Sequence, residues 1–257
     1  TPEFFNESAY VQLPQRLLRC KLLIACDGKF SKVRERLGVE IFSHDYQQNA
    51  LVFNIEHQKS HQNIAIENFL PNGPFAVLPL ANMQQSSIVW TEKKNLVDSV
   101  LAMDEMEVSQ LVTEKMNNIF GQAKIMSKII HYPLSLTFSK KYHSKRCIFI
   151  GDAMHSIHPV AGQGLNLSIA DILKIIPEIK KNYDLGLDIG SFDLLKRYRR
   201  KSMFEDMAIS GFGHLMVKLF SNDFHILNLS RDFGLDVVNS VNPVKNFFIK
   251  SAMGIAK

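Results

Sequence analysis

The pattern of apolar and polar positions predicts two kinds of strand along this chain. Continuous apolar runs at residues 22–25 and 147–150 are typical of short strands that are buried on both faces. Between these runs, a succession of candidate strands predicts a largely antiparallel sheet. The predicted strands of this sheet are residues 50–56, 64–70, 75–80, 86–91, 124–130 and 134–138. The pattern therefore indicates a mixed α/β (α+β) fold.

Helices are predicted where apolar residues recur every three or four positions. Two predicted helices cover residues 31–37 and about 106–120. A third begins at Leu165, and its apolar positions are Leu165, Ile169, Ile172, Leu173 and Ile176. From Ser191 onward, apolar and basic periodicity predicts further helices.

The stretch from Arg146 to Asn166 joins a buried strand, a glycine-bearing turn and this third helix. Gly151 at the strand end lets the backbone approach a ligand closely, and the Asp152 carboxylate suits sugar-type hydroxyls. The free N–H groups at a helix start near Leu165 favour an anion or an electron-rich carbonyl. Gly-Asp after a strand is common, however, and Asp152 is also suited to capping a local turn.

The run GDAMHSIHPVAGQGLN resembles the second flavin-contacting motif of the FAD-dependent aromatic hydroxylases related to p-hydroxybenzoate hydroxylase, in particular their ubiquinone-biosynthesis branch. A second run, LLIACDG at residues 22–28 followed by Arg34, resembles the Asp-Gly motif of the same family. That motif lies near the FAD pyrophosphate and is implicated in NAD(P)H use. Further similar segments lie at residues 73–80, 87–91 and 219–254.

The resemblance implies a set of flavin-binding residues. They are Asp27, Gly28, Arg34, Gly151, Asp152, Pro159, Gly162, Gln163, Gly164, Leu165 and Asn166. Asp152 is expected at a ribityl hydroxyl, Pro159 beside the flavin ring, and residues 164–166 at the pyrimidine edge. Asp27 and Arg34 are expected near the pyrophosphate or in the network that supports it. No catalytic residue is assigned, because in such enzymes the cofactor carries the chemistry.

The family opens with a strand–Gly-x-Gly-x-x-Gly–helix unit that binds the ADP half of FAD. This sequence has no such fingerprint, and Gly211-Phe212-Gly213, the nearest match, lies in a helical pattern and is interpreted as a packing feature. The chain also starts with Thr1 instead of Met. We therefore expect a fragment, or the second half of a split enzyme, with only a partial Rossmann-like FAD-binding domain.

The resemblance also implies a domain organisation. Residues 1–41 are expected to form the first part of the FAD-binding domain, and residues 137–190 its second part. Residues 42–136 are expected to form a substrate-binding domain built on the mostly antiparallel sheet. Residues 191–257 are expected to form a C-terminal helical region.

The implied activity is an FAD-dependent monooxygenase reaction that hydroxylates a prenylated aromatic ring in ubiquinone biosynthesis. It would use O2, with NAD(P)H or another electron donor as cosubstrate. The alternative is a non-catalytic fragment or assembly subunit of the same pathway, which binds a quinone-like lipid or partner proteins. The expected location is the cytoplasm, and contact with the inner face of a membrane is a further option.

Composition and charge narrow the choice of partners. The chain has 257 residues, of which 46% are hydrophobic, so it can bury a sizeable core. Its formal net charge is +5, and the basic residues cluster at Lys140-Lys141, Lys180-Lys181 and residues 196–201. Such clusters are typical of a solvated helix face and also suit acidic lipid head groups. No motif indicates nucleic acid, so none is expected as a partner.

Other side chains suggest further chemistry. His155 and His158 have a spacing that can serve metal ligands, but they precede a proline and have no third ligand nearby in sequence. We expect them to make structural hydrogen bonds or to line the flavin pocket, and we expect no metal. In the sheet region, one set of apolar side chains is interpreted either as core or as the lining of a pocket for a prenylated phenol. This set is Phe69, Phe75, Leu78, Leu80 and Trp90.

Overall fold

The structure is a computed structural model that describes residues 2–4, 7–158, 163–203 and 211. Its strands are β1 (Pro2–Phe4), β2 (Ala9–Gln12), β3 (Leu17–Cys20), β4 (Leu23–Ala25), β5 (Ile41–His57), β6 (Ile66–Leu70), β7 (Gly73–Pro79), β8 (Gln85–Lys93), β9 (Ala123–Ile125), β10 (Ile130–Ser139), β11 (His143–Ser144), β12 (Cys147–Phe149) and β13 (His155–Ser156). Its helices are α1 (Lys32–Arg36), α2 (Lys94–Ala102), α3 (Glu105–Lys115), α4 (Gln163–Asp184) and α5 (192–203). A 3₁₀ turn covers Gly151–Ala153.

These elements form two compact units. Unit one contains the described residues up to His44 and those from Leu136 to residue 211, and unit two contains Asp45–Ser135. The chain passes from one unit to the other within β5 and within β10.

Unit one contains a three-stranded sheet with the strand order β11-β12-β4, and the candidate site described below lies at its edge. Strand β12 is antiparallel to β11 and parallel to β4, with Cys147 opposite Leu23 and Phe149 opposite Ala25. All three residues of β12 are buried, which confirms the buried strand predicted from the run at 147–150. They pack in one cluster with Tyr198 of α5 and with other side chains of α4 and α5. This packing holds the two helices against the parallel pair.

Strands β1, β2 and β3 form a separate antiparallel sheet that the apolar pattern did not predict. The side chains of β3 are largely exposed, and in β2 only Ala9 is buried. Because backbone pairing holds this ribbon with little burial, its sequence lacks the alternation that marks a strand with one buried face.

Unit two contains an antiparallel sheet in which β5, β8, β7 and β6 are successive neighbours, with β9 also paired to β5. The strands predicted within residues 50–91 are all present, although β5 is much longer than predicted. Side chains of α2 and α3 join the core of this sheet, including Val97 and Val112. The mixed α/β class with a mostly antiparallel sheet is thus confirmed.

Two predictions in unit two were wrong in extent, and one helix was missed. The helix predicted to reach residue 120 ends at Lys115, because Asn117 and Asn118 adopt positive φ values of 51° and 55°. The strand predicted at 124–130 ends at Ile125. Helix α2 was missed because its N-cap, Lys93, makes no side-chain capping bond and carries no start signal.

The described segments contain no helix that is both long enough and apolar enough to cross a membrane.

The apolar side chains that the sequence analysis named in the sheet region differ in how exposed they are. Phe75 and Trp90 are buried in the core, and their rings meet edge-to-face with centroids 6.1 Å apart. Phe69 and Leu78 are exposed. The core interpretation therefore holds for Phe75 and Trp90, while the other pair remains accessible.

We predict that Trp90→Ala lowers the free energy of unfolding by about 3 to 5 kcal/mol, because it removes a fully buried aromatic side chain. Phe69→Ala, at an exposed position on the neighbouring part of the sheet, serves as the control and should cost clearly less. Urea unfolding followed by far-UV circular dichroism measures both losses. Tryptophan fluorescence is unsuitable, because Trp90 is the single tryptophan of the chain. Equal losses would contradict the core position of Trp90.

Candidate functional site

The candidate site lies at the carboxyl ends of the parallel strands β4 and β12. The two strands end in register, and the backbone N–H of Ile150 donates to the carbonyl of Ala25 at 3.1 Å. The chain then turns away from each strand, at residues 26–28 after β4 and at residues 151–153 after β12. Ligands of α/β sheets bind beyond the carboxyl ends of parallel strands. The structure thus brings together two motifs that are more than a hundred residues apart in sequence.

Arg34 joins the two turns. Its guanidinium donates from Nη1 to the carbonyl of Ala153 and from Nη2 to the carbonyl of Lys29, each at 2.6 Å. The residue is 7% exposed and lies in α1, which is capped by the side chain of Ser31. Arg34 was expected either near the FAD pyrophosphate or in the network that supports it. Its contacts with backbone carbonyls are of the second kind. Arg34 therefore acts as a clamp between the loop after β4 and the turn after β12.

Asp27 stabilises the loop that leads into α1. Its carboxylate accepts a hydrogen bond from the backbone N–H of Val33 at 3.2 Å. Partial desolvation would raise the pKa of Asp27, but hydrogen bonds from the Ser31 side chain and from backbone N–H groups outweigh it and lower the pKa. Gly28 has a φ of +86°, which an L side chain rarely adopts. This loop therefore holds an ionised carboxylate on a tight backbone turn.

A buried carboxylate that the sequence analysis missed connects α4 to the turn after β12. Asp171 is fully buried, and its Oδ2 accepts from the backbone N–H of Gly151 at 3.0 Å. The same oxygen lies 2.9 Å from Nε2 of His155, which is also buried. This contact joins two buried side chains, one from β13 and one from α4. The structural hydrogen bonding expected of His155 is confirmed.

The spacing of Asp171 in α4 indicates a buried position only once the buried face of the helix is known. Asp171 lies four residues after Leu167 and four before Ile175, and all three side chains are buried. An acidic residue in line with buried apolar positions of a helix needs a hydrogen-bonding partner. The apolar positions used to predict the helix lie instead on its exposed face, which carries Leu165, Ile169, Ile172, Leu173 and Ile176. Hydrophobic periodicity therefore identified the helix but not its buried side.

His158 is also buried, and burial lowers its pKa to about 4, so the imidazole is neutral near pH 7. Among the residues that the structure describes, no group of His, Cys, Asp and Glu side chains is arranged to hold a metal ion.

The residues expected to contact the flavin differ in accessibility. Asp152 is exposed, and in the described part of the chain it makes no hydrogen bond or ion pair. Helix α4 begins at Gln163, two residues earlier than predicted, so residues 164–166 form its first turn. Among the described residues, a Cβ placed on Gly164 would have only Cγ1 of Ile157 near it, at 4.0 Å. Pro159 and Gly162 lie outside the described residues.

These features fit the flavin half of FAD. An unpartnered carboxylate suits a sugar-type hydroxyl, and the open first turn of α4 presents backbone N–H groups to an electron-rich carbonyl.

Comparison with known proteins agrees with this fit. Residues 7–201 match the FAD binding domain family, and the chain belongs to this family. It is 35% identical to ubiquinone hydroxylase UbiL of Rhodospirillum rubrum over 93% of this chain and 56% of the relative. It is 32% identical to ubiquinone hydroxylase UbiM of Neisseria meningitidis over 97% of this chain and 54% of the relative. The chain thus spans about half the length of the curated relatives it matches.

The fold is also similar to solved structures. The p-nitrophenol 4-monooxygenase PnpA of Pseudomonas putida has a TM-score of 0.77 at 17% identity, with 99% of this chain and 65% of that chain covered. The family resemblance, the fold class and the FAD cofactor expected from the two motifs are confirmed.

We predict that Arg34→Ala lowers the free energy of unfolding by about 3 kcal/mol, because it removes two buried charge-assisted hydrogen bonds. Arg36→Ala removes the same charge from the exposed side of the same helix and should change stability by less than about 0.5 kcal/mol. Urea unfolding of the two variants measures the difference. A loss no larger in Arg34→Ala than in Arg36→Ala would contradict the clamp.

Proposed function

We propose that this chain forms the flavin-contacting part of an FAD-dependent monooxygenase that hydroxylates a prenylated aromatic ring in ubiquinone biosynthesis. The observation that carries this proposal is the in-register end of β4 and β12, where both flavin motifs meet beside an unpartnered Asp152. The relatives' names, which are those of ubiquinone hydroxylases, support the substrate class.

In this proposal the residues around the turn after β12 bind and orient the cofactor. Asp152 accepts a hydrogen bond from a ribityl hydroxyl, and Gly151 keeps the backbone close to the ligand. The first turn of α4, residues 164–166, faces the pyrimidine edge, where negative charge collects when a flavin is reduced. When bound, FAD supplies the redox chemistry that activates O2 for aromatic hydroxylation.

Asp27, Gly28 and Arg34 have a supporting role in this proposal. Both hydrogen bonds of the Arg34 guanidinium are with backbone carbonyls, so we assign it to positioning the two turns instead of binding phosphate directly. Asp27 and Gly28 fix the loop between β4 and α1 in the same way. A positioning network of this kind keeps the carboxyl ends of the strands at the spacing that a cofactor requires.

We assign the substrate to one face of the sheet in unit two. Glu67 and Phe69 of β6 lie opposite Ala76 and Pro74 of β7, so these side chains share a face. Leu78 continues this face along β7, and both Phe69 and Leu78 are exposed. Desolvation raises the pKa of Glu67 to about 7, which lets it become neutral beside an apolar ligand. Such a surface suits a prenylated phenol.

In this assignment unit one is the FAD-binding domain and unit two the substrate domain. The electron donor is NAD(P)H or another reductant, and the working location is the cytoplasm, with contact to the inner face of a membrane or to other ubiquinone-synthesis proteins.

Two features favour a complementing segment, whether it belongs to the same polypeptide or to another. Strand β4 has a neighbour on one side only among the described strands, so its other edge can pair with a further strand. The exposed apolar face of α4, which includes Leu165 at 71% and Leu173 at 68% exposure, can pack against another element. The complement would supply the Gly-x-Gly-x-x-Gly unit for the ADP half of FAD. The same apolar face also favours the second candidate, a non-catalytic assembly subunit.

A flavin titration separates these candidates. FAD binding is measured by absorbance and fluorescence with the chain alone and with a polypeptide that supplies the Gly-x-Gly-x-x-Gly unit. Binding that requires both polypeptides, followed by NAD(P)H- and O2-dependent hydroxylation of a prenylated phenol, supports the monooxygenase. A folded chain that binds no FAD under either condition supports the assembly subunit.

In the FAD-binding form, Asp152→Ala should weaken FAD binding about tenfold, because one hydrogen bond to the ligand is lost from a charged acceptor. Asp193→Ala removes an exposed carboxylate from α5 and should leave the affinity unchanged. Both variants should unfold like the parent chain, since Asp152 has no described partner. Equal affinity of Asp152→Ala and parent would remove Asp152 from the cofactor site.

Gly164→Val should weaken FAD binding through crowding at the start of α4. Gly164→Ala is the matched control: the added Cβ meets only Ile157 at 4.0 Å, so the fold itself tolerates it. The expected order of flavin affinity is parent, then Gly164→Ala, then Gly164→Val, measured by the same titration. An unchanged flavin spectrum and affinity in Gly164→Val would show that the ligand does not approach this turn.

A further inference from the structure

A second concave site lies in unit one and is lined by residues outside the two motifs. It is a cleft of about 440 Å³ formed by the residues that precede β12 and by α5. Its walls include Lys141, His143 and Lys145 from the first segment and Phe192 and Arg199 from the second. The flavin motif follows β12 in sequence, whereas this cleft is built from residues before it. The volume is in the range of small-ligand sites.

The cleft has an excess of positive charge. Within the described residues, the side chains of Lys141, Lys145 and Arg199 make no ion pair or hydrogen bond, and no Asp or Glu lines the walls. Lys140 and Arg146, also at the cleft, are paired with Glu40 and Asp188, the latter through Nη2 and Oδ2 at 2.6 Å. Lys141 also interacts with Glu40 and helps to lower the pKa of that carboxyl, so Lys145 and Arg199 are the cleft cations with no acidic partner among the described residues.

His143 lies in the field of the same cations. Burial lowers the pKa of His143, and the charges of Arg199 and Lys141 lower it further. Its ring meets the ring of Phe192 edge-on, with centroids 5.3 Å apart. Phe192 is nevertheless 64% exposed, so an aromatic surface is available beside the cations.

Some other basic side chains of the same region are paired with carboxylates. Arg197 and Lys201 both pair with Glu178, at 2.8 and 2.6 Å. Lys180 pairs with Asp184 at 2.8 Å. Within the described residues, the basic clusters noted in the sequence therefore contain cations held by carboxylates, cations that line the cleft, and exposed cations such as Arg200 that do neither.

We propose that this cleft binds a phosphate ester whose planar or apolar part lies against Phe192. Arg199 supplies a planar guanidinium that matches the oxygens of a phosphate, and Lys141 and Lys145 supply mobile point charges. A nucleotide and an anionic phospholipid head group share this chemistry. The assignment is independent of the flavin site, because none of its residues belongs to either flavin motif.

The test uses the chain with ADP, with inorganic pyrophosphate, and with phosphatidylcholine vesicles that do or do not contain phosphatidylglycerol. Calorimetric titration measures the soluble phosphates, and vesicle flotation measures the lipids. Arg199→Ala should weaken binding about tenfold or more, because a charge-assisted hydrogen bond to phosphate is lost. Lys145→Gln should also weaken binding, and it should leave folding unchanged because the position is exposed.

Arg200→Ala is the matched control. It removes the same charge from the adjacent, exposed position of α5, which does not line the cleft. ADP or pyrophosphate binding that is lost in Arg199→Ala and kept in Arg200→Ala identifies a soluble phosphate ester as the ligand. Binding only to phosphatidylglycerol vesicles, with the same difference between variants, identifies a lipid head group. No binding by the folded chain, or equal weakening by Arg199→Ala and Arg200→Ala, overturns the proposal.

Discussion

The parallel pairing of β4 with β12 is the constraint on which the candidate site depends. Parallel strands in register end at the same edge, so the loops that follow them must lie side by side. Arg34 then fixes the distance between these loops by donating to a carbonyl in each. Asp171 fixes α4 to the turn after β12 through Gly151 and His155. A short sheet and two buried polar side chains thus determine where a cofactor can lie.

Buried polar groups stabilise the site in this molecule, whereas an exposed apolar face marks a surface that another element can cover. Arg34 donates two hydrogen bonds and Oδ2 of Asp171 has two partners, and these contacts offset part of the cost of taking a charge out of water. The apolar face of α4 is exposed, and such a face costs free energy until another element covers it. The first observation explains how the two turns hold their geometry, and the second leaves an apolar face that another element can cover.

Much of the fold could be predicted from the sequence, because its core strands bury one or both faces and therefore carry a clear period. Strands β7, β8 and β12 were predicted within a few residues. The ribbon β1–β3 and helix α2 were not, since the ribbon buries little and the helix lacks a capping side chain. For the site, glycine and aspartate after a strand indicated a cofactor turn. The partner of that turn, Asp171, could not be identified without knowing which face of α4 is buried.

The sequence by itself determined the two flavin motifs, the mixed α/β class and the family, because these depend on local residue order and hydrophobic period. Only the tertiary structure decided that Arg34 links two loops and that Arg199 joins Lys141 and Lys145 at one cleft. It also decided which basic side chains find an internal carboxylate, as Arg197 does with Glu178. These relations join residues far apart in the chain, and spacing along a sequence carries no information about distances that only folding creates.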